Sequence, residues 1–257
     1  SIKGLILDMD GVLWRGDAPI GDLAATFQRI AERNLKIVFA TNNSTRTPRQ
    51  YVERLRSFGV FCEDWQVVTS SLAVVDLLGK RFPVGTPIYA IGEAGLLDAL
   101  REKDFSILPV EQAENARAVV MGIDRAINFQ KLAEATLLVR RGIPFYATNP
   151  DKTFPTPRGE IPGAGSWYSI VVTASNIEPI VAGKPGPAMM ELSLERLGLP
   201  REQVLVVGDR IETDIAAGQA VGCACALVLS GVSTVEEARQ WQPKIDVIAP
   251  DLASLVA

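Results

Sequence analysis

Short, wholly apolar runs alternate with amphipathic stretches along most of the chain. The runs at 5–7, 37–40, 67–69, 204–207 and 226–229 are apolar on consecutive positions, the pattern of strands covered on both faces of a parallel sheet. Apolar residues recur at helical spacing over 22–33, 48–58, 72–82, 187–197, 213–221 and 235–241. Pro187 suits the first turn of its helix and Gly198 the end. The middle third repeats the alternation, with strands expected at 88–91, 118–121 and 145–147 and helices at 96–102 and 129–140. The stretch 150–165 is rich in Pro and Gly and polar, and reads as a long connection of the kind that carries function. The predicted class is therefore α/β with a parallel sheet. Residues 1–80 and 181–257 are expected to form one discontinuous core, with 81–180 inserted as a second α/β unit.

Composition narrows the function. The chain has 257 residues, 47% of them hydrophobic and 22% charged, enough for a sizeable core. Its net charge is -4 and no Lys/Arg stripe occurs, which argues against a nucleic-acid partner. No apolar run reaches the roughly 18 residues of a membrane span, and Asp8 and Asp10 interrupt the only apolar stretch near the start, so no secretory signal is expected there. Cys62, Cys223 and Cys225 are odd in number and lack a C-x-x-C spacing, so they read as small buried hydrophobes of a reducing, cytoplasmic compartment. The chain has no histidine. Ser-His-Asp and Cys-His catalysis and His-ligated metal sites are excluded, and proton transfer falls to carboxylates or lysine.

Four segments end apolar runs, or open helices, with residues suited to a phosphate or a metal. Asp8-Met9-Asp10-Gly11 follows the first strand, and Thr41-Asn42-Asn43-Ser44 the second. Gly183-Lys184-Pro185 precedes a helix, and Gly208-Asp209-Arg210 follows the strand at 204–207, with Asp214 close behind. Ligands of open α/β sheets bind outside the carboxyl ends of the strands, where these segments would converge. Carboxylates without His or Cys make a hard oxygen site that favours Mg²⁺ over zinc. Thr41 offers a hydroxyl, Asn42 amide donors and Lys184 a point cation for a phosphoryl group. One carboxylate can serve as nucleophile and a second as acid and base. Each segment taken singly also fits a turn, a helix cap or a solvated lysine; their joint order is what argues for a site.

These four segments, together with Ala147-Thr148-Asn149-Pro150-Asp151, Pro162-Gly163-x-Gly165 and Ser230-Gly231-Val232-Ser233-Thr234, resemble the motifs of the haloacid dehalogenase-like phosphatases, most closely the NagD-like, nitrophenylphosphatase-type branch. The resemblance implies a Rossmann-like core and an inserted α/β cap that selects the substrate. By position it makes Asp8 the nucleophile and Asp10 the general acid and base. Thr41 and Lys184 bind the phosphoryl group, with Asn42 beside it. Asp8, the main-chain carbonyl of Asp10 and Asp209 hold Mg²⁺, and Asp214 supports the metal site. It further implies a small phosphorylated metabolite as partner (a sugar phosphate, nucleoside monophosphate, phosphoglycolate or nitrophenyl phosphate) and allows a homodimer through the cap. A cap histidine near the position of Phe154, found in some vitamin-phosphate phosphatases, is absent, which weakens a pyridoxal phosphate reading. Trp14, Phe154 and Trp167 are candidates to line a pocket or to fill a core. Two other readings use the same residues: a phosphate-accepting signalling module resembling a response-regulator receiver, and an inactive ligand-binding descendant. Gly92-Glu93-Ala94-Gly95 reads as a strand-to-helix turn and not as a dinucleotide fingerprint.

Overall fold

The structure, a computed structural model, describes residues 1–156 and 158–257. The chain divides into two compact units. One comprises Ser1–Thr41, Pro48–Val68 and Lys184–Ala257, the other Asn42–Thr47 and Thr69–Gly183.

The first unit is built on a six-stranded sheet in the order Val247–Ala249, Ala224–Val228, Val204–Gly208, Gly4–Leu7, Lys36–Thr41, Val67–Thr69. Its pairs from Val247–Ala249 through to Lys36–Thr41 are all parallel. The central strand Gly4–Leu7 is buried along its whole length, which is why it reads as an unbroken apolar run. Helix Leu23–Glu32 starts at Asp22, whose carboxylate accepts the Ala25 N–H. Helix Ala188–Leu197 begins directly after Pro187, ends at Gly198 in the left-handed region, and packs on strand Lys36–Thr41. The core gathers Leu5, Leu7, Met9, Leu13, Trp14, Ile30, Phe39 and Leu55. Trp14 is thus a fully buried core residue and lines no pocket.

The second unit carries a five-stranded parallel sheet in the order Ile180–Val181, Phe145–Ala147, Ala118–Met121, Pro87–Ile91, Ser106–Ile107. Tyr89, Val119, Met121, Leu138, Val139 and Phe145 form its core, with Trp167 packed against them. Helix Phe129–Arg140 starts at Asn128, whose side chain accepts the Lys131 N–H.

Three expectations need correction. The stretch 150–165 is no plain loop: Thr153–Thr156 and Gly159–Pro162 pair as an antiparallel hairpin, while Pro157 within it lies outside the described residues. The helix expected at 213–221 begins earlier, as a wide π turn over Ile211–Ile215 that continues into Ala216–Ala220. Helix Ala164–Ser175 was not foreseen. Its Ile170-Val171-Val172-Thr173 run is β-branched, and no side chain caps its start at Gly163; both features hide a helix from a propensity reading.

Candidate active site

The site grows from the carboxyl ends of the parallel strands of the first unit. Strand Gly4–Leu7 delivers Asp8, whose N–H donates to Val207 O at 2.9 Å and so continues the ladder with the neighbouring strand. The chain then turns on itself. Leu13 N–H donates to Met9 O and Gly11 N–H to Trp14 O, each at 2.8 Å. Gly11 sits at φ +82°, and a Cβ there would also overlap the Asp209 carboxylate. A residue with a side chain would be strained and would collide.

Lys184 is the hub. Its ammonium Nζ lies 2.6 Å from Asp8 Oδ1 and 2.7 Å from Asp214 Oδ1, and it donates to Ala40 O at 2.9 Å. Asp209 leaves the end of strand Val204–Gly208, where its Oδ2 accepts the Val232 N–H at 2.8 Å. The loop that supplies this donor approaches closely because residue 231 is glycine; a Cβ there would fall on the same carboxylate. Asp214 sits one turn further on and accepts the Arg210 N–H at 3.1 Å. Carboxylate oxygens of Asp8, Asp209 and Asp214 all lie within 4.8 Å of one another.

The electrostatics follow from this crowding. Two carboxylates about 4 Å apart repel by roughly 4 kcal/mol in a partly buried setting. Burial pushes the Asp8 carboxyl well above its usual range; Lys184 opposes this, and Asp214 and Asp209 add to it. Burial and Asp214 push Asp209 up to about 6, against the Val232 N–H and Lys184. Burial alone would lower Lys184, but Asp214 and Asp8 more than offset it and hold the ammonium above its ordinary value. Three carboxylates therefore crowd a site in which Lys184 pairs with two, Asp8 and Asp214, and the repulsion is only partly relieved.

A second cation would relieve the rest. The donors are hard carboxylate oxygens, held at the separation over which one ion can be shared, with no nitrogen or sulfur ligand among them. That set fits Mg²⁺ or a similar divalent cation.

The remaining expected residues lie as follows. Thr41, the last residue of its strand, is buried beside Ala40, whose carbonyl Lys184 binds. The Asp10 carboxylate accepts the Trp14 indole N–H at 2.9 Å. Asn42 belongs to the second unit, where its Nδ2 donates to Asp151 Oδ2 at 3.1 Å; the Asn149 amide donates to the same oxygen at 2.8 Å. Sequence reasoning missed the roles of Trp14, Val232 and Asp151. Only Val232 and Asp151 had a signal, in the Ser230-Gly231-Val232 and Thr148-Asn149-Pro150-Asp151 runs. The three cysteines are free, with Cys223 and Cys225 buried, and burial pushes the Cys223 thiol up to about 11.

Comparison with known proteins places this geometry. Residues 5–106 match the haloacid dehalogenase-like hydrolases, and residues 181–255 a second family described as HAD-hydrolase-like. An acid sugar phosphatase of Staphylococcus epidermidis is 38% identical over 235 residues, covering 91% of this chain and 89% of that protein. The chain belongs to the haloacid dehalogenase-like hydrolases. Among solved structures, a p-nitrophenyl phosphatase from Archaeoglobus fulgidus superposes with a TM-score of 0.91 at 36% identity, covering 100% of this chain and 98% of that one. A glycerol phosphate phosphatase from Mycobacterium tuberculosis, solved in complex with magnesium, has a TM-score of 0.91 at 32% identity, covering 99% of this chain and 76% of that one. Among the described residues, no helix is long and apolar enough to cross a membrane.

Proposed function

We propose that this hydrolase is a Mg²⁺-dependent phosphatase of small phosphomonoesters that works through an aspartyl-phosphate on Asp8. The observation that carries the reading is the convergence of the Asp8, Asp209 and Asp214 carboxylates within 4.8 Å of one another, with the Lys184 ammonium paired to Asp8 and Asp214. The names of its relatives support sugar phosphates, glycerol phosphate and p-nitrophenyl phosphate as the substrate class.

In this reading an Asp8 oxygen attacks phosphorus while the ester P–O bond breaks. The bonding pair leaves with the ester oxygen, which takes a proton from the Asp10 carboxyl and departs as an alcohol. The Asp10 carboxylate then takes a proton from water as the water oxygen attacks phosphorus. The Asp8 O–P bond breaks, its pair returns to Asp8, and inorganic phosphate leaves. Lys184 and Thr41 hold the phosphoryl oxygens, with Asn42 beside them, and Lys184 offsets their charge. Asp8, the Asp10 main-chain carbonyl and Asp209 would hold Mg²⁺, and Asp214 would orient that set through Lys184 and the Arg210 N–H. When bound, the cation neutralises charge on the transferring group and lets Asp8 stay ionised. To the inserted residues 81–180 we assign the selection of substrate.

The test is p-nitrophenyl phosphate hydrolysis with Mg²⁺ and with excess chelator, with Asp8→Asn alongside. Mg²⁺-dependent turnover that disappears in the variant is expected. Retained turnover in Asp8→Asn would overturn the mechanism. A long-lived phosphoprotein without turnover would favour the signalling-module reading.

A further inference from the structure

Asp10 is exposed, while its neighbour in the turn is not. Trp14 is fully buried, and its indole Nε1–H donates to Asp10 Oδ1 at 2.9 Å. Among the described residues, the indole is the one hydrogen-bond donor that this carboxylate meets. An exposed aspartate side chain otherwise samples its rotamers freely, so a single charge-assisted bond from a fixed donor decides where its oxygens sit.

The donor is fixed unusually well. The backbone turn from Met9 to Trp14 brings the indole back onto Asp10 through the two 2.8 Å hydrogen bonds that close it. Phe58 packs on one side, with ring centroids 6.0 Å apart. The Arg54 guanidinium lies over the indole, 4.2 Å from the centroid. Arg54 is itself anchored by the Gly16 carbonyl and by Asp17 at 3.8 Å. A cation over an indole face both holds the ring and draws electron density from it, which makes the N–H a better donor.

We propose that Trp14 is the positioning residue for Asp10: its N–H fixes Oδ1 and leaves Oδ2 as the oxygen that gives the proton to the leaving group and later takes one from water. Arg54 is the clamp that holds the indole in place. The inference rests on the assignment of Asp10 as general acid. It accounts for a buried tryptophan whose one polar atom is spent on an exposed carboxylate instead of on the core.

The test exploits leaving-group chemistry. A p-nitrophenolate leaves with little protonic help, whereas a phenolate needs more. We would measure kcat/KM, which reports the first chemical step, for p-nitrophenyl, chlorophenyl and phenyl phosphates. Trp14→Phe keeps an aromatic ring and removes the N–H. It is expected to lose about twofold on p-nitrophenyl phosphate and about tenfold on phenyl phosphate, the scale of one hydrogen bond to a charged group. The dependence on the leaving group therefore steepens, as it should more strongly in Asp10→Asn. A uniform loss across the series, or none, overturns the positioning role. Asp10→Asn is the control for the underlying assignment. If it leaves the slope unchanged, the assignment of Asp10 falls; if it steepens the slope and Trp14→Phe does not, only the inference about Trp14 falls. Should Trp14→Phe fail to fold by circular dichroism, β-3-benzothienyl-alanine at position 14 keeps the shape of the indole and lacks the N–H. The same steepening is expected there, and a wild-type slope overturns the proposal.

Discussion

The two sheets of this protein share one architecture and treat charge in opposite ways. Both are parallel, and both gather polar residues at the carboxyl ends of their strands. In the second unit the carboxylates there are matched singly, Glu93 and Asp124 each by its own cation and Asp151 by two amide groups. Glu93 receives Arg125 through both oxygens, at 2.7 and 2.6 Å, and the buried Asp124 receives Lys131 at 2.6 Å. Thr148, Asn149 and Asn42 are neutral and satisfy one another or Asp151. In the first unit three carboxylates crowd together, and Lys184 pairs with two of them, Asp8 and Asp214. Chemistry therefore follows from an unbalanced site and not from the fold. A matched pair is a structural element, whereas a surplus of buried negative charge calls for a ligand.

The comparison can be broken most sharply at Asp8. Asp8→Asn should cut phosphate release by roughly 10³-fold or more, the usual scale for a lost nucleophile. Its thermal midpoint should hold or rise, because one member of a repelling cluster has been neutralised. A fall in the midpoint would show that the Lys184 pair matters more to the fold than the repulsion.

Lys184→Met should destabilise by about 3–5 kcal/mol in denaturant unfolding, since it strands buried charge. Adding Asp214→Asn should recover part of that loss. A single variant within 1 kcal/mol of wild type would mean that the carboxylates are already protonated or solvated.

Metal and pH sharpen the contrast next. Asp209 rises from an ordinary 3.8 to about 6, so the folded metal-free protein holds a proton that the unfolded chain has lost. Its contribution is favourable below about 4 and disappears as pH rises through 6. In chelator this site should therefore count against stability at neutral pH. Mg²⁺ should raise the melting temperature by several degrees at pH 7.5 and by much less at pH 5, following mass action. Equal shifts at both values would contradict the proton linkage.

Gly231→Ala places a methyl group where the Asp209 carboxylate lies. It should weaken activation by Mg²⁺ about tenfold, the scale of a disturbed metal support, read as a shift in the Mg²⁺ concentration for half-maximal turnover.

The smallest effect belongs to the second unit. Arg125 is 71% exposed in its pair with Glu93, and its removal should change stability by less than about 1 kcal/mol. Arg125 holds Glu93 below its ordinary value, chiefly through the side-chain hydrogen bond. What stability the pair gives is present above the usual carboxylate range and fades as pH falls. A large loss in Arg125→Ala would erase the distinction between the two sheets.

Much of this was legible in the chain. The buried strands of both sheets are continuous apolar runs, because parallel strands covered on both faces leave no room for alternation. The strand-end motifs stood out because Asp8, Lys184 and Asp209 interrupt or border such runs with charge. The strands Ser106–Ile107, Ile180–Val181 and Val247–Ala249 were not legible. They are two or three residues long and exist only because a longer neighbour offers its free edge. The hairpin Thr153–Thr156 with Gly159–Pro162 was hidden by its prolines.

The sequence by itself determined the class of fold, the absence of histidine chemistry and the set of residues that would meet if the strands lay parallel. Tertiary structure decided how they meet. It put three carboxylates within 4.8 Å of one another and two of them on one ammonium, sent the Asp10 carboxylate to a buried indole, and drew the Asn42 amide to Asp151. The physical reason is range. Propensity and hydrophobic period act over a few residues. The field at Asp8 is set by Lys184, Asp209 and Asp214, which the chain brings close only once the sheet has formed.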